Sequence, residues 1–273
     1  MMTLRAIRRP TVAGYYYPAD PETLRRTIEM LTRTEASPVS ARAVLVPHGS
    51  YHHAGGVAGA ALARVAIPRR CIIAGPSHTG SWMSWSVMVG GAYRTPLGDV
   101  PIDEACAEAL RRRCPFLEAD GWSQRGEHAI EVVLPFLQQL GPPDLTIVPV
   151  IIGSDDRTEQ SRFAEALAQV VRMQEEPVLL IASSDLSHYR SQAEGAAQDR
   201  ELIQAITALD SNALIRSVND HAILMCGYAA AACVLDAGKA LGAACASLIK
   251  YGTSAEAGGD PGSAIGYAGI VID

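Results

Sequence analysis

The sequence predicts an α/β fold: one domain over residues 1–273, with a central mixed, largely parallel sheet flanked by helices. Three observations predict it. The runs Ala43-Val44-Leu45-Val46, Cys71-Ile72-Ile73-Ala74 and Val178-Leu179-Leu180-Ile181-Ala182 are apolar throughout, as strands covered on both faces must be. Strand-like and helix-like segments alternate along the chain, which calls for helices on the faces of a sheet. Each run also leads directly into a polar motif: Pro47-His48, Gly75-Pro76-Ser77-His78 and Ser183-Ser184-Asp185-Leu186-Ser187-His188. Ligands collect at the carboxyl ends of strands in open α/β sheets, so position alone marks these histidines as functional candidates.

The elements follow in order. Asp20 can cap a helix that has Pro21 in its first position and runs to about Leu31. The strand Ala43–Val46 leads through a His-rich loop into a small-residue helix over Gly55–Val65, whose glycines and alanines permit close packing. Cys71–Ala74 is the next strand, and partial alternation over Trp82–Val89 predicts another. Asp103–Arg113 is helical by composition and lies between Pro101 and Pro115. Glu127–Gln139 places Ile130, Val133, Leu134 and Leu137 at helical spacing, with Pro135 expected to kink it. Strands over Leu145–Ile152 and Val178–Ala182 bracket a helix over Glu159–Met173. Helices over Ala193–Ala208 and Ala229–Leu241 precede two closing strands, Ala246–Tyr251 and Ile265–Val271, with a turn at Gly258–Gly262.

Bulk properties exclude several classes. An apolar content of 48% over 273 residues supports one substantial core. A net charge of -6 and a pI near 5.7 argue against nucleic acid or an anionic membrane as partner, since both need clustered positive charge. Arg69-Arg70 and Arg111-Arg112-Arg113 read as solvated faces. The N-terminal stretch has basic residues without a following apolar segment, and no later apolar run is long enough for a bilayer, so a cytoplasmic protein is expected. The six cysteines, Cys71, Cys106, Cys114, Cys226, Cys233 and Cys245, form no C-x-x-C pair and suit neither a zinc ribbon nor a disulfide scaffold.

Imidazole is both a neutral nitrogen ligand and a proton shuttle near neutral pH, so His48, His78 and His188 fit metal binding or acid-base work. Asp185 shares a loop with His188 and either orients an imidazole or caps a turn. Tyr51, His52 and His53 extend the first motif as pocket candidates, with an exposed loop as the plainer reading of the two histidines. His128 is a pocket-rim candidate; Glu127 and Glu131 beside it stand one helical turn apart, the common spacing of a solvated helix face. Cys226, before Gly227 at a loop-to-helix junction, is either a thiolate ligand with its pKa lowered by the helix terminus or a small buried hydrophobe. Ser77 and Ser184 lack a G-x-S-x-G context, and no glycine-rich phosphate loop is present.

Taken together, the motifs resemble the Memo family, whose bacterial and archaeal members are called AmmeMemoRadiSam system protein B. The resemblance runs through Arg9-Pro10-Thr11-Val12-Ala13-Gly14 with Tyr17-Pro18, Val46-Pro47-His48, Gly75-Pro76-Ser77-His78 and Glu127-His128-Ala129-Ile130-Glu131 with Leu134-Pro135-Phe136. It continues in Ser183–His188, Cys226-Gly227, Tyr251-Gly252-Thr253-Ser254 and Gly266-Tyr267-Ala268. It implies a fold related to class III extradiol dioxygenases, with His48, His78 and Cys226 as metal ligands and His188, with Asp185 beside it, at the catalytic position. The cysteine stands where those dioxygenases carry a carboxylate, which softens the site and admits copper(I) beside iron(II). The family's usual loop reads approximately Pro-His-Ala-Gly-Tyr-x-Tyr-Ser-Gly, and Gly49, Ser50, His53 and Ala54 depart from it, so the pocket rim differs. Two functions are therefore expected: an iron(II) dioxygenase acting on a small aromatic substrate, or a copper- or iron-binding redox protein working with AMMECR1-like and radical-SAM proteins. A zinc-type hydrolase ranks below both.

Overall fold

The computed structural model describes residues 6–80 and 84–273. In chain order the elements are β1 (Ile7–Arg8), α1 (Pro21–Leu31), β2 (Ala43–Val46), α2 (Gly55–Leu62), β3 (Arg70–Pro76), β4 (Trp85–Val87), β5 (Ala92–Thr95), β6 (Gly98–Pro101), α3 (Glu104–Arg113) and β7 (Glu118–Ala119). They continue as α4 (Leu134–Leu140), β8 (Thr146–Ile152), α5 (Arg157–Arg172), β9 (Val178–Ser183), β10 (His188–Arg190), α6 (Gln192–Thr207), α7 (Ser211–Asp220), α8 (Tyr228–Ala240), β11 (Ala246–Thr253) and β12 (Ala264–Ile272).

The main sheet runs β10-β12-β2-β9-β3-β8-β4-β7, with β11 also paired to β12. Its centre, β2, β9, β3 and β8, is parallel, while β12 and β4 join antiparallel. This is the mixed, largely parallel α/β sheet that the apolar runs predict. Register explains why the motifs converge: Val46 of β2 lies level with Ser183 of β9, and Ala74 of β3 with Ala182, so all three strands end along one edge. Every residue of β2 and β9 is buried, as strands covered on both faces require. α8 packs on β9 and β3 and carries α5 and α7 against it; α2 packs on β2, β11 and β12, with α1 and α4 beside it.

Side-chain caps set the starts of α1, α3, α5, α6 and α7. Asp20, Asp103, Asp156, Ser191 and Asp210 each accept a backbone N–H of the first turn. The expected kink at Pro135 does not occur, because residues 129–133 are turns and Pro135 stands in the first turn of α4, where it has no intrahelical hydrogen bond to lose. Expected strand 82–89 contracts to β4, and Trp82 lies outside the described residues. Arg70 is not simply solvated: it pairs with Asp103 and donates to Gln174, tying β3 to the α3 cap. Absent from the sequence reading are α7, the short strands β7 and β10, and a three-stranded sheet β1-β5-β6. Among the described residues, no helix is long and apolar enough to cross a membrane.

Candidate metal centre

The ends of β2 and β3 bring His48 and His78 into ring contact, with centroids 5.1 Å apart. The start of α8 delivers Cys226 to the same point. The ligand atoms of His48, His78 and Cys226 all lie within 4.8 Å of one another, and Cys226 Sγ is 3.3 Å from His48 Nε2. Gly227 makes this approach possible: a Cβ there would stand 2.6 Å from both Ser183 O and Ser184 Cβ. Ser184 Oγ accepts the Gly227 N–H at 3.0 Å, fastening the helix start to the end of β9. Gly227→Ala is therefore expected to cost about 1–3 kcal/mol by overpacking, read as a lowered denaturant midpoint, and to weaken metal binding by displacing Cys226.

Each imidazole is held in one tautomer. Ser183 Oγ gives its only hydrogen to Ala129 O at 2.6 Å, so it accepts from His48 Nδ1 at 2.9 Å, leaving the lone pair on Nε2 beside the sulfur. His78 Nδ1 donates to Glu127 Oε1 at 2.8 Å, which likewise frees its Nε2. A carboxylate behind a ligating histidine is the usual device for fixing the ring and raising its basicity. Glu127 also accepts the backbone N–H groups of His78, His128 and Ala129. Its burial works against the charge, but these bonds and His78 outweigh it and lower its pKa to about 2.

The electrostatics differ between the imidazoles. Burial depresses His48 to a pKa of about 4, and it also lowers that of His128. At His78 burial opposes the charged form, yet the bond and charge of Glu127 prevail and raise its pKa. Of the two readings of Cys226, the lowered thiol pKa does not hold: burial, followed by the charge of Asp185, pushes it up. Metal binding must then displace the thiol proton and, toward pH 6, the proton held on His78, so apparent iron(II) affinity, measured by anaerobic calorimetry, is expected to rise by at least about tenfold per pH unit between pH 6 and 8.

Other candidates fall into place differently. Asp185 does not bond His188; its Oδ1 accepts the N–H groups of His48 (2.9 Å) and Gly49 (3.2 Å), holding the first histidine loop. His188 Nδ1 lies 2.8 Å from Leu186 O and 2.9 Å from Leu224 O. Both partners only accept, so Nδ1 carries the hydrogen and Nε2 the lone pair. The bond to Leu224 tethers this ring two residues ahead of Cys226.

Tyr51 belongs to the core rather than to a pocket rim. It is buried, donates to Val132 O at 2.9 Å and stacks against Phe136 at 4.6 Å. His52 is exposed, and His53 bonds Ser50 Oγ at 2.9 Å; neither joins the candidate ligand groups. His128, by contrast, lies inside the site: it stacks on His78 at 4.5 Å, stands 5.5 Å from His48, and forms a second candidate group with His78 and Glu127. The four acceptor contacts of Glu127 already occupy its carboxylate, so the first group is the better donor set.

Sequence reasoning missed three residues. Glu127 and Glu131 do not line a solvated helix face; both are buried. Glu131 pairs with buried Arg8 and accepts from Thr11, Val12 and Tyr17, pinning residues 8–17 against the site-bearing segment. That segment carries Tyr16, which meets His128 edge-on at 5.0 Å. The motif Arg9–Gly14 and the tyrosine run Tyr15-Tyr16-Tyr17 mark this place in the sequence.

A mixed α/β sheet whose strand ends gather two lone-pair-bearing imidazoles and a thiol defines the class as an α/β protein with a candidate metal site. The profile of the Memo-like protein family matches residues 8–271, and the chain belongs to that family. It is 38% identical to a MEMO1 family protein of Methanopyrus kandleri, over 97% of this chain and 98% of that one. A MEMO1 family protein of Methanothermobacter thermautotrophicus is 36% identical over 96% and 99%, and one of Aquifex aeolicus 32% over 97% and 99%. Among solved structures, an uncharacterized protein of Escherichia coli K12 matches with a TM-score of 0.53 at 16% identity, covering 85% of this chain and 99% of that one. That likeness supports the fold alone.

Proposed function

We propose that this Memo family protein is an iron(II)-dependent oxidoreductase of the extradiol type, acting on a catecholic or related small aromatic substrate, with His48, His78 and Cys226 as the metal ligands. The observation that carries the reading is the donor set itself: three ligand atoms within 4.8 Å, two of them imidazole nitrogens whose lone pairs are freed by hydrogen bonds behind the rings. Three protein ligands leave coordination positions for small molecules, and iron(II) held there would supply the redox and Lewis-acid chemistry that joins an aromatic diol to dioxygen. The chain supplies the rest. Glu127 keeps His78 oriented, Asp185 holds the His48 loop, and His188 receives a substrate hydroxyl proton at Nε2. His128, kept neutral by burial, offers a hydrogen bond beside the ligands. A protein dependent on a reduced thiol ligand suits the cytoplasm.

The thiol favours a second reading. A soft sulfur donor suits copper(I), and a copper- or iron-binding redox protein acting with AMMECR1-like and radical-SAM partners needs no turnover at this site. Oxygen uptake by the iron(II)-loaded protein across a catechol panel separates the two. The enzyme reading expects uptake in wild type and its loss in His188→Ala at unchanged metal content. No uptake with any catechol, together with tight copper(I) binding, overturns it in favour of the second.

A further inference from the structure

We propose that Asp199 and Tyr251 form a latch that positions His188, so that Asp199 of α6 is a positioning residue for proton transfer; this rests on reading His188 as the proton-transfer group. Asp199 is 1% exposed and belongs to none of the ligand groups. Its Oδ1 accepts the Ser187 N–H at 2.9 Å and its Oδ2 accepts the Tyr251 hydroxyl at 2.7 Å. Ser187 is the residue immediately before His188. One buried carboxylate thus joins α6, β11 and the His188 loop.

The geometry around Ser187 leaves that loop little freedom. Gly266 of β12 donates to Ser187 O at 2.9 Å, and its own carbonyl accepts the Leu186 N–H at 2.8 Å. A side chain at 266 would collide with the Asp199 carboxylate, so this strand passes directly over the latch. Just beyond His188, Tyr189 has φ of +59°, and the β10–β12 register shifts between His188 and Arg190. A bulky residue in the left-handed region persists only where its surroundings over-determine it. Asp199 and Gly266 provide that constraint on the residue before His188.

The chemistry of Asp199 suits this role. Both of its partners are donors, and an ionised carboxylate is a pure acceptor that satisfies both. Burial raises its pKa against these bonds, a cost retained in a group that makes no ion pair among the described residues. Its charge also lies within electrostatic reach of His188. Asparagine at this position keeps one acceptor for Ser187 and turns an amide hydrogen toward the tyrosine oxygen; alanine keeps neither bond.

The test reads the His188 ring by nitrogen NMR of the full chain carrying 15N-labelled histidine, its signals assigned by their loss in His188→Ala. Wild type should show one neutral tautomer with hydrogen on Nδ1. Asp199→Ala should move both His188 nitrogens toward averaged-tautomer positions while the His48 and His78 signals stay in place. Tyr251→Phe should produce the same movement to a smaller extent, and Asp199→Asn should recover most of the wild-type signature. Wild-type His188 signals in Tyr251→Phe and in folded Asp199→Ala overturn the proposal; if Asp199→Ala does not fold, Tyr251→Phe decides alone. No substrate or oxygen enters the measurement, so failure of the oxygenase reading leaves this result standing, and failure of the latch leaves oxygen uptake to be judged separately.

Discussion

Glu131→Ala is expected to destabilise the protein by about 3–5 kcal/mol, the usual cost of leaving a buried charge without its partner. The Arg8 and Glu131 side chains are 1% and 0% exposed, so neither has water to fall back on. Arg8 keeps bonds to carbonyls of Gln124 and Glu127 and lies over the Tyr93 ring, but these do not neutralise it. Replacing both members of the pair with apolar residues should recover little, although such replacements often do elsewhere. The reason is local: Glu131 also accepts from the Thr11 and Val12 amides and the Thr11 and Tyr17 hydroxyls, and four donors would lose their acceptor. Denaturant unfolding of the single and double variants measures both values. A loss below about 1 kcal/mol for Glu131→Ala, the scale of an exposed pair, would contradict the account of this anchor.

The second large effect concerns the metal. Glu127→Gln keeps the three ligands but replaces the carboxylate behind His78, a change that typically lowers metal affinity about 10–100-fold. Cys226→Ala removes a ligand outright and should cost more than that, while stability should fall only slightly, since a single sulfur atom of a half-buried side chain is lost. Anaerobic titration of both variants with iron(II), beside their denaturation midpoints, separates ligand loss from unfolding. Equal affinities in wild type and Cys226→Ala would remove the thiol from the site.

Much of this arrangement is legible in the chain. Three apolar runs with no polar interruption could only be buried strands, and because β2, β9 and β3 are parallel and in near register, the motif after each had to emerge at one edge. The Asp20 cap reads equally well, since it bonds the amide three residues on and needs no distant partner. Glu127 and Glu131 were illegible for the opposite reason. Their spacing imitates a helix surface, but the backbone between them turns, and the arginine that makes Glu131 buriable lies 123 residues earlier. Asp185 shows the limit of adjacency within a loop: its oxygen serves amides 136 and 137 residues away rather than the neighbouring His188, which no local spacing reveals. The small sheet escaped because its strands of two to four residues are too short to show a period. α7 carries a readable signal, Asp210 ahead of Leu214, Ile215 and Val218 at helical spacing.

The central claim is that His48, His78 and Cys226 together hold one metal ion. Its most direct test is anaerobic titration of metal-free protein with iron(II), then separately with copper(I), in wild type and in His48→Ala, His78→Ala, Cys226→Ala and His52→Ala. The account predicts one ion per chain in wild type and His52→Ala, with binding lost or weakened by more than 100-fold, beyond the cost of an outer partner, in each of the other three. Undiminished binding in any one of those three, or equal weakening in His52→Ala, would contradict it.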